Sequence, residues 1–157
     1  MRIKLLLIGK TDDKNLRELI SKYQNRLQHY VKFELEVIPE LKNIKNFTRF
    51  QQKEKEGAFI LNKLRATDHL VLFDEKGKAF RSLEFANWLQ KKMNSGVKQL
   101  VFAIGGPYGF SESVYKKTME KIALSKMTFS HQMIRLFAIE QFYRGFTILN
   151  KEPYHHE

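Results

Sequence analysis

The sequence predicts an α/β protein, with a mostly parallel sheet and helices on both of its faces. Three observations carry that prediction. Apolar runs of strand length recur along the chain, at residues 2–8, 69–74 and 99–104. Between the runs lie longer segments whose apolar residues repeat at helical spacing. The two kinds alternate in the order β-α-β-α-β-α-β-α-β-α, the pattern of parallel strands joined by helical crossovers.

The first run reads as a strand buried over its C-terminal half, Leu5-Leu6-Leu7-Ile8. Gly9-Lys10-Thr11 follows it. A phosphate-binding P-loop needs another glycine five residues before Gly9, and Lys4 stands there, so that reading fails. Asp12 or Asp13 can cap the next helix, whose stripe is Leu16, Leu19, Ile20, Tyr23, Leu27 and Tyr30. Residues 33–38 alternate apolar and acidic side chains, as an edge strand with one polar face does, and Pro39 ends them. Residues 41–48 are polar and basic and read as a loop. Residues 48–64 predict a helix with a thin stripe, Phe50, Ala58, Ile60, Leu61 and Leu64. The run Lys53-Glu54-Lys55-Glu56 is read as its solvated side.

Residues 69–74 form the next buried-type strand, closed by a turn at 75–78. Ser82 caps a helix carrying Phe85, Ala86, Leu89 and Met93 with Trp88 beside them, and Gly96 suits its exit. The strand 99–104 then breaks into Gly105-Gly106-Pro107-Tyr108-Gly109-Phe110, where the absence of Cβ atoms lets a ligand approach the backbone. Ser111 or Ser113 caps the following helix. Residues 124–130 are a short non-helical segment leading into a helix over 131–144, with Ser130 as its N-cap. That helix is apolar nearly all round, so it lies in a core or against another subunit.

At 157 residues the chain is read as one domain, 1–157. It has no cysteine, which excludes a disulfide framework and a thiolate zinc site, and no metal is expected. No segment approaches the roughly 18 apolar residues of a membrane span, so the expectation is a soluble, cytoplasmic protein without a membrane partner. The net charge of +11, from 28 basic and 17 acidic residues, points to a polyanionic partner, foremost nucleic acid. A non-catalytic basic RNA-binding or ribosome-associated module satisfies the charge equally well.

Ligands of doubly wound sheets sit outside the carboxyl ends of the strands. Three segments reach that edge: Leu72-Phe73-Asp74, Ile104-Gly105-Gly106-Pro107 and 124–130. Four motifs recur in order, each weak alone: Ile104-Gly105-Gly106-Pro107-x-Gly109-Phe110-Ser111, Leu124-Ser125-x-Met127-Thr128-x-x-His131, Glu140-Gln141-x-Tyr143-Arg144 and Pro153-Tyr154-His155-His156. Together they resemble the RlmH family, small SPOUT-class methyltransferases of bacterial ribosomal RNA, and the resemblance covers essentially the whole chain.

The resemblance implies a C-terminal trefoil knot and S-adenosylmethionine as the methyl donor. It implies a pseudouridine of large-subunit (23S) ribosomal RNA, methylated at N3 on the assembled ribosome. It further implies a homodimer in which the tail of one subunit completes the pocket of the other. Carried over by position, the donor contacts fall on Leu72, Phe73, Gly105, Gly106, Leu124, Ser125, Lys126, Met127, Thr128, Phe129 and Ser130. No phosphate cradle is present, which suits a sulfonium nucleoside. The catalytic candidates are Tyr154, to stack on the target base; His155, to contact phosphate or the imide; Arg144, to orient a phosphate or pair with Glu140; and His131, at the start of the last helix.

Overall fold

The computed structural model describes residues 1–156, and among these five strands and five α-helices alternate. They are β1 (Arg2–Ile8), α1 (Lys14–Leu27), β2 (Lys32–Ile38), α2 (Arg49–Asn62), β3 (His69–Ala79), α3 (Ser82–Asn94), β4 (Gln99–Ile104), α4 (Glu112–Lys117), β5 (Glu120–Ala123) and α5 (Met133–Leu149). A 3-10 turn over Ile44–Asn46 interrupts the basic loop before α2. The sheet order is β2-β1-β4-β3-β5, and every pairing is parallel.

Alternation along the strands sorts the core into two layers. Leu5, Leu7, Val71, Phe73, Phe102 and Ile104 face α1, α3 and α5. Leu6, Ile8, Leu70, Leu72, Val101 and Ala103 face α2 and α4. The central strands are apolar on both faces because both faces are covered. The acidic face of β2 is answered from its neighbour: Lys4 on β1 pairs with Glu34 at 3.1 Å and with Glu36 at 2.9 Å. The opposite edge is pinned through Glu120 of β5, which accepts from Trp88 Nε1 at 2.7 Å and pairs with Lys92 and His69.

Three expectations are corrected here. β3 does not end at Asp74. It leaves the sheet over residues 74–77 and rejoins it, so that Phe73 and Lys78 both pair with Ile122. Regular helix begins at Met133 rather than at residue 131; Ser130 still caps it, its Oγ accepting from Met133 N at 3.2 Å. The buried face of α2 is Gln52, Glu56, Gly57 and Ile60, while Phe50 and Ala58 are exposed.

The apolar circumference of α5 has a local explanation. The helix lies between α1 and α3 above the sheet, so three sides are covered within the chain. Phe142 is fully buried there, its ring 4.6 Å from Phe102, 5.9 Å from Phe73 and 6.2 Å from Phe85. No helix among the described residues is long and apolar enough to cross a membrane.

Candidate functional site

Because all five strands run parallel, their carboxyl ends open on one edge of the sheet. At β4 the chain turns through the glycine loop. Gly109 N donates to Gly106 O at 3.1 Å, and Gly109 adopts φ +77°, a conformation glycine takes without strain. At β3 the bulge over 74–77 turns outward. Beyond β5, residues 124–132 cross the ends of β3 and β4 and reach the loop after β1. The crossing is fastened by Gln132, whose side-chain oxygen accepts from Asp12 N at 3.0 Å.

It is fastened more deeply by Arg135, a residue the sequence reading passed over. Its guanidinium is 2% exposed and donates to Ile8 O at 2.7 Å, Gly9 O at 3.0 Å and Thr11 Oγ1 at 3.1 Å. Its Nε donates to His131 O at 3.0 Å. Burial pulls its pKa below the usual value, offset by the charges of Asp12 and Glu40. The one signal in the sequence is an arginine inside the otherwise apolar run from Met133 to Ile139.

Between these three segments lies a hollow of about 710 Å³. Phe73, Gly105 and Gly106 line it from the strand ends. Leu124, Ser125, Met127, Thr128, Phe129, Ser130 and His131 line it from the crossing segment. Leu72 does not line it: its side chain is fully buried in the layer under α2 and α4. Lys126 is exposed and does not line it either. The wall also includes Lys53, Asp74 and Tyr115, which motif matching did not supply.

The floor beneath the glycine loop is Glu56, in the run expected to face solvent. It is 4% exposed. One carboxyl oxygen accepts from Gln52 Nε2 at 2.8 Å; the other, Oε2, has no hydrogen-bond partner and lies against Gly106. The signal was the i, i+4 series Gln52, Glu56, Ile60, read as polar because two of its members are polar. Burial raises the Glu56 pKa, Gln52 partly offsets this, and the charge of Glu40 adds to the rise.

A folded pKa above the ordinary 4.5 means that the native chain holds a proton the unfolded chain has lost. Stability therefore falls as pH rises from that value through the folded pKa. Glu56→Gln keeps the shape without the ionisation. Its stability relative to the parent is expected to grow as pH rises across that window. Urea unfolding at a series of pH values checks this, and a difference that stays constant with pH rejects it.

A second hollow, of about 540 Å³, shares the wall of Leu124, Ser125 and Phe129 with the first. Phe80, Arg81 and Ser82 at the start of α3 line it, with Phe137 and Gln141 of α5 and His155 of the tail. Phe129 and Phe137 meet there with ring centroids 4.7 Å apart.

The tail that carries His155 is docked rather than frayed. Glu152 accepts from Tyr30 Oη at 2.6 Å. Tyr154 Oη donates to Glu140 Oε1 at 2.9 Å and lies 3.3 Å from Tyr23 Oη. Burial, reinforced by Tyr23 and Glu140, pushes the Tyr154 phenol well above its usual range. The Tyr154 ring packs edge-on against Tyr143 at 4.8 Å, and the Arg144 guanidinium lies over it at 4.8 Å. Arg144 also pairs with Glu140 at 2.9 Å and reaches His155 Nδ1 at 3.4 Å. His131 thus lines the first hollow and His155 the second, while Arg144 and Tyr154 line neither and hold the tail against α1 and α5.

The family model described as "predicted SPOUT methyltransferase" matches residues 1–155. Three relatives carry the name ribosomal RNA large subunit methyltransferase H and align over the full length of both chains. They come from Flavobacterium johnsoniae at 66% identity, Parabacteroides distasonis at 62% and Bacteroides thetaiotaomicron at 55%. With the model matching nearly all of its length and relatives well above half identity end to end, the chain belongs to the SPOUT methyltransferase family and is a methyltransferase.

Proposed function

We propose that this methyltransferase, acting as one domain over residues 1–157, moves the methyl group of S-adenosylmethionine to N3 of a pseudouridine in 23S ribosomal RNA, on the assembled ribosome in the cytoplasm. The observation that carries this reading is the pair of hollows with a common wall. One is floored by glycines at the strand ends; the other holds the histidine of the tail. A donor and an acceptor base need that adjacency, since reacting atoms must come within roughly 3–3.5 Å. The printed names of the relatives motivate a ribosomal RNA substrate, and the charge of +11 suits a polyanion.

The residues of the first hollow fit the donor. Glycine main chain and the 124–130 segment offer amides and carbonyls to a purine edge, and the apolar side chains Phe73, Ile104 and Leu124 flank them. When bound, the donor supplies an electrophilic methyl carbon on a cationic sulfur. Everything else falls to the chain. Gly105 and Gly106 admit the nucleoside by withholding side chains. Phe129 and Phe137 offer aromatic faces to an unpaired base entering the second hollow. The N3 proton must leave, and His155 beside the Arg144 cation is the group we assign to receive or steady that charge. Tyr154 positions Arg144 through Glu140.

Exposed apolar side chains line the hollow, with Met127 at 76% exposure and Phe129 also exposed. That exposure supports a homodimer in which a second copy covers them. The crossing of residues 124–132 over the strand ends, followed by a helix seated between α1 and α3, supports a C-terminal trefoil knot.

The test has two parts. Isothermal titration with S-adenosylmethionine is expected to show binding, and its absence at millimolar ligand overturns the donor assignment. Mass spectrometry of ribosomal RNA from cells lacking the chain is expected to show one methyl missing from a large-subunit pseudouridine. Unaltered RNA overturns the acceptor assignment.

A further inference from the structure

The first hollow has an asymmetry that its apolar and glycine lining does not explain. Its charged side chains are Lys53 from α2 and Asp74, Glu75 and Lys76 from the bulge in β3, with His131 on the far wall. Glu75 and Lys76 are exposed. Asp74 is different: it is half-buried, and both of its carboxyl oxygens are tied. Oδ1 accepts from Lys76 N at 2.8 Å, and Oδ2 accepts from Tyr115 Oη at 2.5 Å. Tyr115 is itself fixed, packed edge-on against Phe110 at 6.0 Å with Lys121 over its ring at 5.5 Å. The phenol is held well above its usual range by burial and by Asp74, so it remains the donor of that bond.

The bulge exists to place this group. Phe73 and Lys78 pair with the same residue, Ile122, so four residues are extruded at the sheet edge without shifting β5. Gly77 permits it, because a Cβ there would come within 2.5 Å of Ile122 N. The result is one immobilised carboxylate in the wall of a hollow whose other charges sit on exposed or flexible side chains.

We infer that Asp74 makes this hollow discriminate by charge, favouring the sulfonium methyl donor over the thioether product that remains after transfer. The inference rests on the donor reading above. During transfer the carbon–sulfur bond breaks and its electron pair stays on sulfur, which passes from cationic to neutral. The methyl carbon bonds to the acceptor nitrogen, whose proton leaves. Donor and product differ by that methyl and one unit of charge. A fixed carboxylate sees the charge, and its field spans the hollow, so the effect does not require contact. Holding the donor and releasing the product follow from the same group.

The experiment titrates S-adenosylmethionine and S-adenosylhomocysteine separately into the full chain, as parent and as Asp74→Asn. Asparagine keeps an acceptor for the bulge and removes the charge. An opposite charge at short range is worth one to three powers of ten, and Lys53 and Lys76 oppose this one. The expected change is therefore at the low end: the donor-over-product preference falls about tenfold, mainly through the donor. A second measurement needs no variant. In the parent chain, added potassium chloride is expected to weaken donor binding more steeply than product binding, because only the donor's sulfur is charged. Donor binding with an unchanged preference in the variant, or parallel salt dependences in the parent, overturns this inference and leaves the donor reading standing. No donor binding to the parent chain overturns both.

Discussion

Phe142→Ala is expected to lower the unfolding free energy by about 3–5 kcal/mol, measured by urea denaturation, the range for removing a buried aromatic ring. The ring is fully buried at the meeting point of α5, α3 and the sheet. Phe102, Phe73, Phe85 and Phe33 all lie within 6.2 Å of it, centroid to centroid. Those rings come from four separate elements and cannot all close inward on the vacated space. Domain stabilities run to about 5–15 kcal/mol, so the loss is a large share of the total. A cost below about 1 kcal/mol contradicts this picture of the core, because such a value belongs to a site that collapses freely.

Gly106→Trp is expected to remove S-adenosylmethionine binding, with affinity falling on the order of a hundredfold or more, about 2.7 kcal/mol. A Cβ at this position meets Glu56 Oε2 at 2.5 Å and the rest of the carboxyl at 3.1 Å. Glu56 is buried under the loop and has little room to retreat, so the loop lifts into the hollow and the indole follows it. Gly109 provides the contrast. A Cβ there meets nothing within 4 Å, and its φ of +77° makes Gly109→Ala a matter of backbone strain alone. Parallel titrations of the two variants separate filling from strain. Equal losses in both contradict the steric account.

The order and kind of the elements were legible because the strands that matter most are buried on both faces. Leu5-Leu6-Leu7-Ile8 and Leu100-Val101-Phe102-Ala103-Ile104 can hardly be anything but central parallel strands. What escaped depends on partners distant in sequence. The return of β3 to the sheet after its bulge is decided by Ile122 and Ala123, more than forty residues on. Glu56 was assigned to water because a carboxylate on a helix usually faces water; only the arrival of the Gly106 loop from a different strand buries it. The circumference of α5 suggested a second subunit as readily as a core, and the choice turned on α1 and α3 flanking it.

The hollow itself was legible through its glycines, through 124–130 and through the strand end at Asp74, whereas the pairing of Asp74 with Tyr115 was not. Their significance is a hydrogen bond between side chains 41 positions apart. For the tail, composition alone suggested a frayed end, and the structure docks it. The difference lies in Tyr30 and Tyr23 of the first helical segment and its exit, which take up Glu152 and Tyr154.

The clasp formed by Arg135 bears on how this polypeptide is made. It joins carbonyls of residues 8 and 9 to a side chain 127 and 126 positions later. A nascent chain emerges amino end first, so the first strand is made long before the arginine that clasps its end. Closing so long a loop costs entropy and slows folding, and the clasp cannot form before residue 135 has been made. Until then residues 8 and 9 lack that partner, and the crossing of 124–132 is not yet fastened to the first strand.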